Sequence, residues 1–250
     1  MYKLSGTDEP REPRGPRRWA LLTEMLLPSS CVACADIGAG GALCRACVGE
    51  FARAAKACAQ CALPIAHNTE KCLVCRTRPP AFDGAVAGFL FEPPMSTLIH
   101  KFKFGGALAV GRALGVALGD RLHAQLIASQ FTLPEVLVPV PLHSTRLRER
   151  GFNQATVLAK PLARELRLDL ELRVARRVGA AVAQSTLQSR EARGRNIRGA
   201  FLINSNALAG ARVAIVDDVL TSGATANELA AVLTDAGAAS VQVWALARAV

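Results

Sequence analysis

Residues 213–225 read Val213-Ala214-Ile215-Val216-Asp217-Asp218-Val219-Leu220-Thr221-Ser222-Gly223-Ala224-Thr225. An apolar run delivers two adjacent acids, and a loop of small and hydroxylated residues then opens a helix. Each part has a physical job. A buried strand end fixes the acids, whose carboxylates can accept hydrogen bonds from the vicinal hydroxyls of a ribose. Thr221, Ser222, Gly223, Ala224 and Thr225 can wrap a phosphate with backbone N–H groups at a helix N-terminus and with hydroxyl donors. Phosphotransfer receivers and metal-dependent phosphatases also carry acids at strand ends. A receiver, however, needs its phospho-acceptor aspartate some tens of residues downstream; only 32 residues follow Asp218, and Asp235 falls within the following helix.

Around this stretch, a strand over Arg212–Val216, a helix over Asn227–Ala236, a stop at Gly237 and a strand over Ser240–Ala245 form a βαβ unit. Such units build parallel sheets. Upstream, Ala85–Phe91 and Val136–Val140 read as strands, and Leu114, Leu118, Leu122 and Leu126 recur at helical spacing. Asn153–Leu166 has helical periodicity, with Pro161 predicting a kink or a second segment. The fold class is therefore α/β.

A second chemical landmark runs from Val138 to Gln154. It leaves a strand, turns at Pro139 and Pro141, and brings Arg146, Arg148 and Arg150 to a helix start before Gly151-Phe152-Asn153-Gln154. Guanidinium forks match phosphate oxygens two at a time, so Arg146 and Arg150 are candidates for holding a pyrophosphate. The plainer alternative is a solvated arginine-rich surface: residues 141–200 hold 13 of the chain's 30 basic groups against 5 acidic ones.

All eight cysteines lie between Cys31 and Cys75 as four Cys-x-x-Cys pairs, so residues 76–250 contain none. That segregation marks a separate module ending near Pro79-Pro80. Cys31, Cys34, Cys44 and Cys47 repeat as Cys58, Cys61, Cys72 and Cys75 after a shift of 27 or 28 residues. Each knuckle presents two thiolates, and four thiolates close one tetrahedral zinc site, so two structural zinc ions are expected. An iron–sulfur cluster or a redox dithiol is the alternative, and His67 is a poor ligand because the thiolates leave it no vacancy. Spacing alone leaves two pairings open: adjacent knuckles, or first with third and second with fourth.

The arginine-rich lead and the short run Trp19–Leu27, interrupted by Glu24, do not form an export signal, and the run is too short to span a bilayer. An amphipathic helix against the cysteine module is the expectation. No membrane insertion is expected, and a reducing cytoplasm fits paired cysteines that bind metal rather than each other. The formal charge of +10 points to an anionic partner without separating nucleic acid from small phosphates.

Residues 217–225 resemble the phosphoribosyl-pyrophosphate loop of type I phosphoribosyltransferases. The stretch from Pro139 to Gln154, and the segment Leu98-Ile99-His100-Lys101-Phe102-Lys103-Phe104-Gly105-Gly106, are similar to the ComF (competence protein F) family, with the match running from about Leu26 to the C-terminus. A third stretch, Arg177 with Gln184, Leu187, Arg190, Arg193, Asn196 and Gly199-Ala200-Phe201, resembles that family's counterpart of the mobile catalytic loop. It departs from the family in the alanines and valines between Arg177 and Gln184.

The resemblance implies a lead over residues 1–27, a double zinc ribbon over 28–78 and a parallel-sheet phosphoribosyltransferase-like domain over 79–250. It implies phosphoribosyl pyrophosphate with magnesium as ligand, Asp217 and Asp218 on the ribose hydroxyls, and residues 221–225 on the 5′-phosphate. Two functions follow as expectations. One is an enzyme transferring or a protein sensing phosphoribose, linked to DNA uptake. The other is a non-catalytic zinc-containing adaptor that meets single-stranded DNA or a helicase or recombination partner of the uptake machinery.

Overall fold

A computed structural model describes residues 30–37, 42–66, 69–128, 132–178, 199–203 and 208–250. The proposed helix at Trp19–Leu27, His67 and the stretch from Gln184 to Asn196 lie outside them. In chain order the elements are α1 (Arg45–Gly49), α2 (Leu73–Thr77), β1 (Gly84–Leu90), α3 (Met95–Phe104), α4 (Leu108–Ala128), β2 (Val136–Pro139), α5 (Ser144–Arg150), α6 (Gln154–Leu166), β3 (Asp169–Leu170), β4 (Ala175–Arg177), β5 (Phe201–Ile203), β6 (Arg212–Leu220), α7 (Ala224–Asp235) and β7 (Ser240–Arg248). Five strands form one sheet in the order β1-β7-β6-β2-β3, every neighbouring pair parallel; β4 and β5 form a separate antiparallel ribbon.

The central strands are apolar on both faces because helices cover both. On β6, Val213 and Ile215 point to one side with Val138, Val241, Val243 and Ala245, against Leu229 and Leu233 of α7. Ala214 and Val216 point to the other with Leu137, Trp244 and Leu246, against Leu114, Leu118 and Leu122 of α4 and Leu158 and Leu162 of α6. The i, i+4 leucines of α4 are thus core; the side chain of Leu126 is outside the described residues. Among these residues no helix is long and apolar enough to cross a membrane.

The structure moves several boundaries. Strand β6 does not end at Val216 but continues to Leu220, because β7 also continues and pairs Asp217 with Ala245, Val219 with Ala247 and Leu220 with Arg248. The two acids therefore sit within a strand rather than beyond its end. Helix α7 begins at Ala224, three residues early, since Gly223 at φ 76° turns the chain into it. Pro161 neither ends nor divides α6. The helix keeps its course although Val157 loses its i+4 donor there, and the proline ring meets Gly115 of α4.

Gly115 makes that helix pair possible: a Cβ there would lie 2.5 Å from Pro161 Cγ and 2.9 Å from the Leu158 carbonyl oxygen. Replacing Gly115 by leucine gains about 1 kcal/mol of helix propensity but overpacks the contact at about 1–3 kcal/mol or more. Net destabilisation of about 1–2 kcal/mol is expected in urea unfolding, and an unchanged midpoint would show that α4 and α6 do not meet this closely.

Candidate functional site

The cysteines gather as Cys31, Cys34, Cys44, Cys47 and as Cys58, Cys61, Cys72, Cys75, the ligand atoms of each group lying within 4.8 Å of one another. Adjacent knuckles pair, and the interleaved arrangement is excluded. Cys34 and Cys44 sulfurs are 3.9 Å apart and those of Cys61 and Cys72 3.7 Å. A tetrahedron with zinc–sulfur bonds of about 2.3 Å has edges of about 3.8 Å, so both clusters have the right size for zinc. Backbone N–H groups of Cys44 and Cys72 donate to the sulfurs of Cys31 and Cys58 at 3.4 and 3.2 Å. Burial pushes these two thiols up, but the surrounding N–H donors outweigh it and leave Cys31 at about 6 and Cys58 at about 7. Cys47 is pushed up by the Cys44 sulfur and Cys75 by burial, so only one thiol of each group is poised as a thiolate without a cation, and both sites are coordinatively closed, as structural zinc requires.

The acids of β6 line a different place, a cavity of about 170 Å³ at the carboxyl ends of β6 and β2. Its wall holds Asp217, Asp218, Thr221 and Thr225 together with Lys103, Arg146, Arg150 and Arg177. Lys103 Nζ is 2.9 Å from Asp218 Oδ2. Asp217 Oδ1 accepts the Asp218 N–H at 2.9 Å. Burial first, and then the neighbouring Asp218 charge, push the Asp217 carboxyl up to about 7; the Asp218 N–H, Lys103 and Arg177 oppose them. Burial and then Arg146 lower the affinity of Arg177 for its proton, while Asp217 raises it.

Local sequence explains how α5 and α6 aim their residues here. His143 caps α5 by accepting the Thr145 N–H at its Nδ1, 3.3 Å away. Gly151 at φ 77° ends α5 in the left-handed conformation. Asn153 then caps α6, accepting the Ala155 N–H at 3.0 Å and donating to the Val140 carbonyl at 3.0 Å, so the turn is tied back to the end of β2. Arg146 and Arg150 lie in the middle and at the end of α5, not at its start.

With this geometry in view, the chain matches two family models: a double zinc ribbon domain over residues 22–79 and a phosphoribosyl transferase domain over residues 153–249. DNA utilization protein YhgH of Salmonella typhimurium is 36% identical over 206 residues, covering 82% of this chain and 90% of that one. Competence protein F of Haemophilus influenzae is 34% identical over 194 residues, covering 77% and 84%. The chain belongs to the ComF family. Solved structures give a thin likeness, such as a hypoxanthine-guanine phosphoribosyl transferase of L. donovani at 15% identity and a TM-score of 0.34, covering 55% of this chain and 71% of that one.

In this ComF-family chain the loop 221–225 divides two spaces. Thr221 and Thr225 face the acid cavity, whereas Ser222, Gly223 and Ala224 line a second cavity of about 310 Å³ shared with Cys61, Cys72 and Cys75 of the second ribbon. The second cavity is also lined by Arg248, 3% exposed, which sequence reasoning missed because its strand was expected to end at Ala245. Its Nε donates to the Cys61 carbonyl at 3.0 Å, and its Nη1 to the Leu220 carbonyl at 2.7 Å and to those of Thr221 and Ala249. One guanidinium therefore binds a zinc knuckle to the start of the candidate phosphate loop.

Lys103, Arg177 and Gln154 were also absent from the predicted site, although each stood in a stretch that resembled the family. Gln154 is 2% exposed, lines the acid cavity, and its Nε2 has no hydrogen-bond partner among the described residues. A buried donor left open in this way is costly unless a ligand or water accepts from it.

Two outcomes follow. Replacing Arg248 by methionine takes a donor from the Cys61 and Thr221 carbonyls, at about 1–3 kcal/mol for each that is shut off from water, while the Leu220 carbonyl keeps the Ala249 N–H at 3.1 Å. Amide exchange across residues 220–225 should quicken both in Arg248→Met and after chelation of zinc; chelation that leaves that segment protected would show that the ribbon does not hold the loop. Asp217, with its pKa higher folded than unfolded, makes the folded state bind more protons between about pH 4 and 7, so stability falls as pH rises through that window. Asp217→Asn should therefore raise the melting temperature at pH 8 and leave it little changed near pH 4, and the same shift at both values would refute the enclosed-acid assignment.

Proposed function

We propose that this chain binds phosphoribosyl pyrophosphate in the Asp217/Asp218 cavity and transfers phosphoribose to an acceptor, serving DNA uptake or utilisation in the cytoplasm. The observation that carries the reading is the set of groups brought together: two acids, two threonines, three arginines and a lysine line one cavity. That set suits a ligand with vicinal hydroxyls at one end and phosphates around it. Asp217 and Asp218 take the ribose hydroxyls, and Thr221 and Thr225, which line the same cavity, take the 5′-phosphate together with backbone N–H groups of the loop Ser222-Gly223-Ala224 that joins them. Arg146 and Arg150 take the pyrophosphate, and the open Gln154 donor meets one of the ligand's oxygens.

In the reaction, a lone pair of the acceptor forms a bond to ribose C1 as the C1–oxygen bond breaks, and the electron pair leaves on pyrophosphate. Catalysis on this chain is positioning and charge compensation. Anchoring both ends of the sugar holds C1 in line, and guanidinium groups stabilise charge as it grows on the leaving group. The enclosed oxyanions of Asp217 and Asp218 face the cation-like sugar. Magnesium entering with the ligand would supply further charge neutralisation beside Arg146 and Arg150. Residues 28–78 act as a zinc-braced support for a catalytic unit over 79–250.

The relatives' names, DNA utilization protein and competence protein F, favour placing the activity beside DNA, and also support the second reading, a non-catalytic adaptor of the uptake machinery. Calorimetric titration of the zinc-loaded protein with phosphoribosyl pyrophosphate and Mg²⁺ separates them. Binding should appear in the unaltered protein and fall at least tenfold, worth about 1.4 kcal/mol, in the Asp217→Ala, Asp218→Ala double variant. No heat of binding in the unaltered protein would remove the transferase reading and leave the adaptor.

A further inference from the structure

Helix α4 carries Arg121 and Gln125 one turn apart, on the side that meets β1 and the zinc module. The two side chains line a narrow cavity of about 30 Å³ together with Arg53, from the segment between the two ribbons, Gly88 of β1 and Arg248 of β7. The rest of its wall is small and apolar, with Ala54, Ala62 and Ala87 among the contributors. Gly88 leaves the strand bare at this point: a Cβ on it would lie 3.9 Å from Arg121 Cβ.

Charge is unbalanced in this space. Three arginines line it and, among the described residues, no carboxylate does. The ion pairs among those residues are Lys103 with Asp218 and Arg212 with Glu135, so neither Arg53 nor Arg121 has one there. Arg53 Nη2 donates to the Gly49 carbonyl at 3.2 Å, and Arg248 is engaged by carbonyls, that of Cys61 among them. Arg121 differs. Its Nε is buried with no hydrogen-bond partner among the described residues, and Gln125 Oε1 is in the same condition. Burial and then the Arg53 charge lower the affinity of Arg121 for its proton, and no acid opposes them. A buried guanidinium N–H beside a second cation is costly unless something in the space accepts from it and carries negative charge.

We infer that this cavity is a binding site for a small monovalent inorganic anion such as chloride, held between Arg53 and Arg121 where the zinc module meets α4. Size selects that class. The space admits about one or two water-sized particles, which suits a halide and excludes a nucleotide or a sugar phosphate. Charge selects it over water, because water accepts from Arg121 Nε but leaves two neighbouring cations uncompensated. Gln125 joins after a half-turn of its amide, which exchanges the unsatisfied oxygen for the Nε2 donors without changing the side chain's shape. Arg53 belongs to the zinc module and Arg121 to α4, so one ion joins the two by charge. Arg248, on the same cavity, already joins them by hydrogen bonds. Occupancy therefore stabilises the docked module by mass action.

Thermal unfolding of the full zinc-loaded chain tests the site, in sodium chloride, sodium bromide or sodium gluconate at one ionic strength. Chloride at tenfold its dissociation constant should raise the Tm of the parent by about 3–6 °C over gluconate, and bromide should act likewise. Arg121→Met and Arg53→Met should flatten that difference. Arg112→Met, which removes an exposed cation from the same helix, should keep it. Arg53 is also exposed, so its replacement leaves the core intact and the test does not depend on how Arg121→Met folds. If Arg121 served packing alone, Arg121→Met would melt lower in every salt; an uncompensated cation instead makes that variant at least as stable as the parent in gluconate. A crystal soaked in bromide should show an anomalous peak within hydrogen-bonding reach of Arg121 Nε. Equal melting of the parent in all three salts, an undiminished chloride response in Arg53→Met and Arg121→Met, or a cavity that holds water without bromide would overturn the assignment.

Discussion

Everything around the acid cavity answers one electrostatic constraint: two neighbouring carboxylates are held on a strand that is otherwise core. Four residues of unbroken apolar sequence, Val213 to Val216, are fully buried before Asp217 is reached. Adjacent like charges at the mouth of such a strand are costly unless cations approach them or one carboxyl keeps its proton. The chain uses both answers. Lys103 pairs with Asp218, three arginines ring the cavity, and the Asp217 carboxyl is pushed toward neutrality. Those cations come from α3, α5 and β4, segments far apart in sequence. The same pair of acids thus explains why three otherwise unrelated pieces of chain converge.

The zinc ribbons enter this arrangement through the backbone. The sheet has β1 at one edge, and its Ala85 and Leu90 N–H groups donate to carbonyls of Ala59 and Ala52 at 3.1 and 2.7 Å. Phe51, 1% exposed, meets Phe89 edge-on at 5.2 Å. The module therefore covers an edge that would otherwise be open to pairing with another chain. Its second ribbon is tied to the far end of β7, where Arg248 reaches the Cys61 carbonyl, and just after the module Asn227 of α7 accepts the Ala81 N–H at 2.7 Å. A module expected to be an appendage is thus joined, through Arg248, to the candidate phosphate loop.

The α/β class and the presence of two closed cysteine sites were legible because their signals are local: a βαβ unit within forty residues, and knuckles repeated at a fixed shift. Relationship to the ComF family was legible too, since it rests on contiguous motifs. Local signals could not separate adjacent from interleaved knuckles, which depends on how each ribbon folds. Nor could they show that β6 and β7 extend to Leu220 and Arg248, because ladder length is decided by both strands together. Lys103 illustrates the limit most clearly: its partner Asp218 is 115 residues away in sequence, and only the packing of α3 brings them together. Gln154 illustrates another. Its position at the start of α6 could be read, but its burial without a partner is a property of the folded cavity alone.

The strand order carries a consequence for how such a chain is made. β7, the last of the described strands in chain order, is not at an edge: it lies between β1 and β6 and is hydrogen-bonded to both. During synthesis from the N-terminus, β1 can meet the zinc ribbons early, but it has no strand partner until the segment from Ser240 to Arg248 has left the ribosome. Its apolar face must wait. Early metal capture by the ribbons, with Phe51 against Phe89 and the carbonyls of Ala52 and Ala59 on the strand's backbone, offers that waiting strand its first cover.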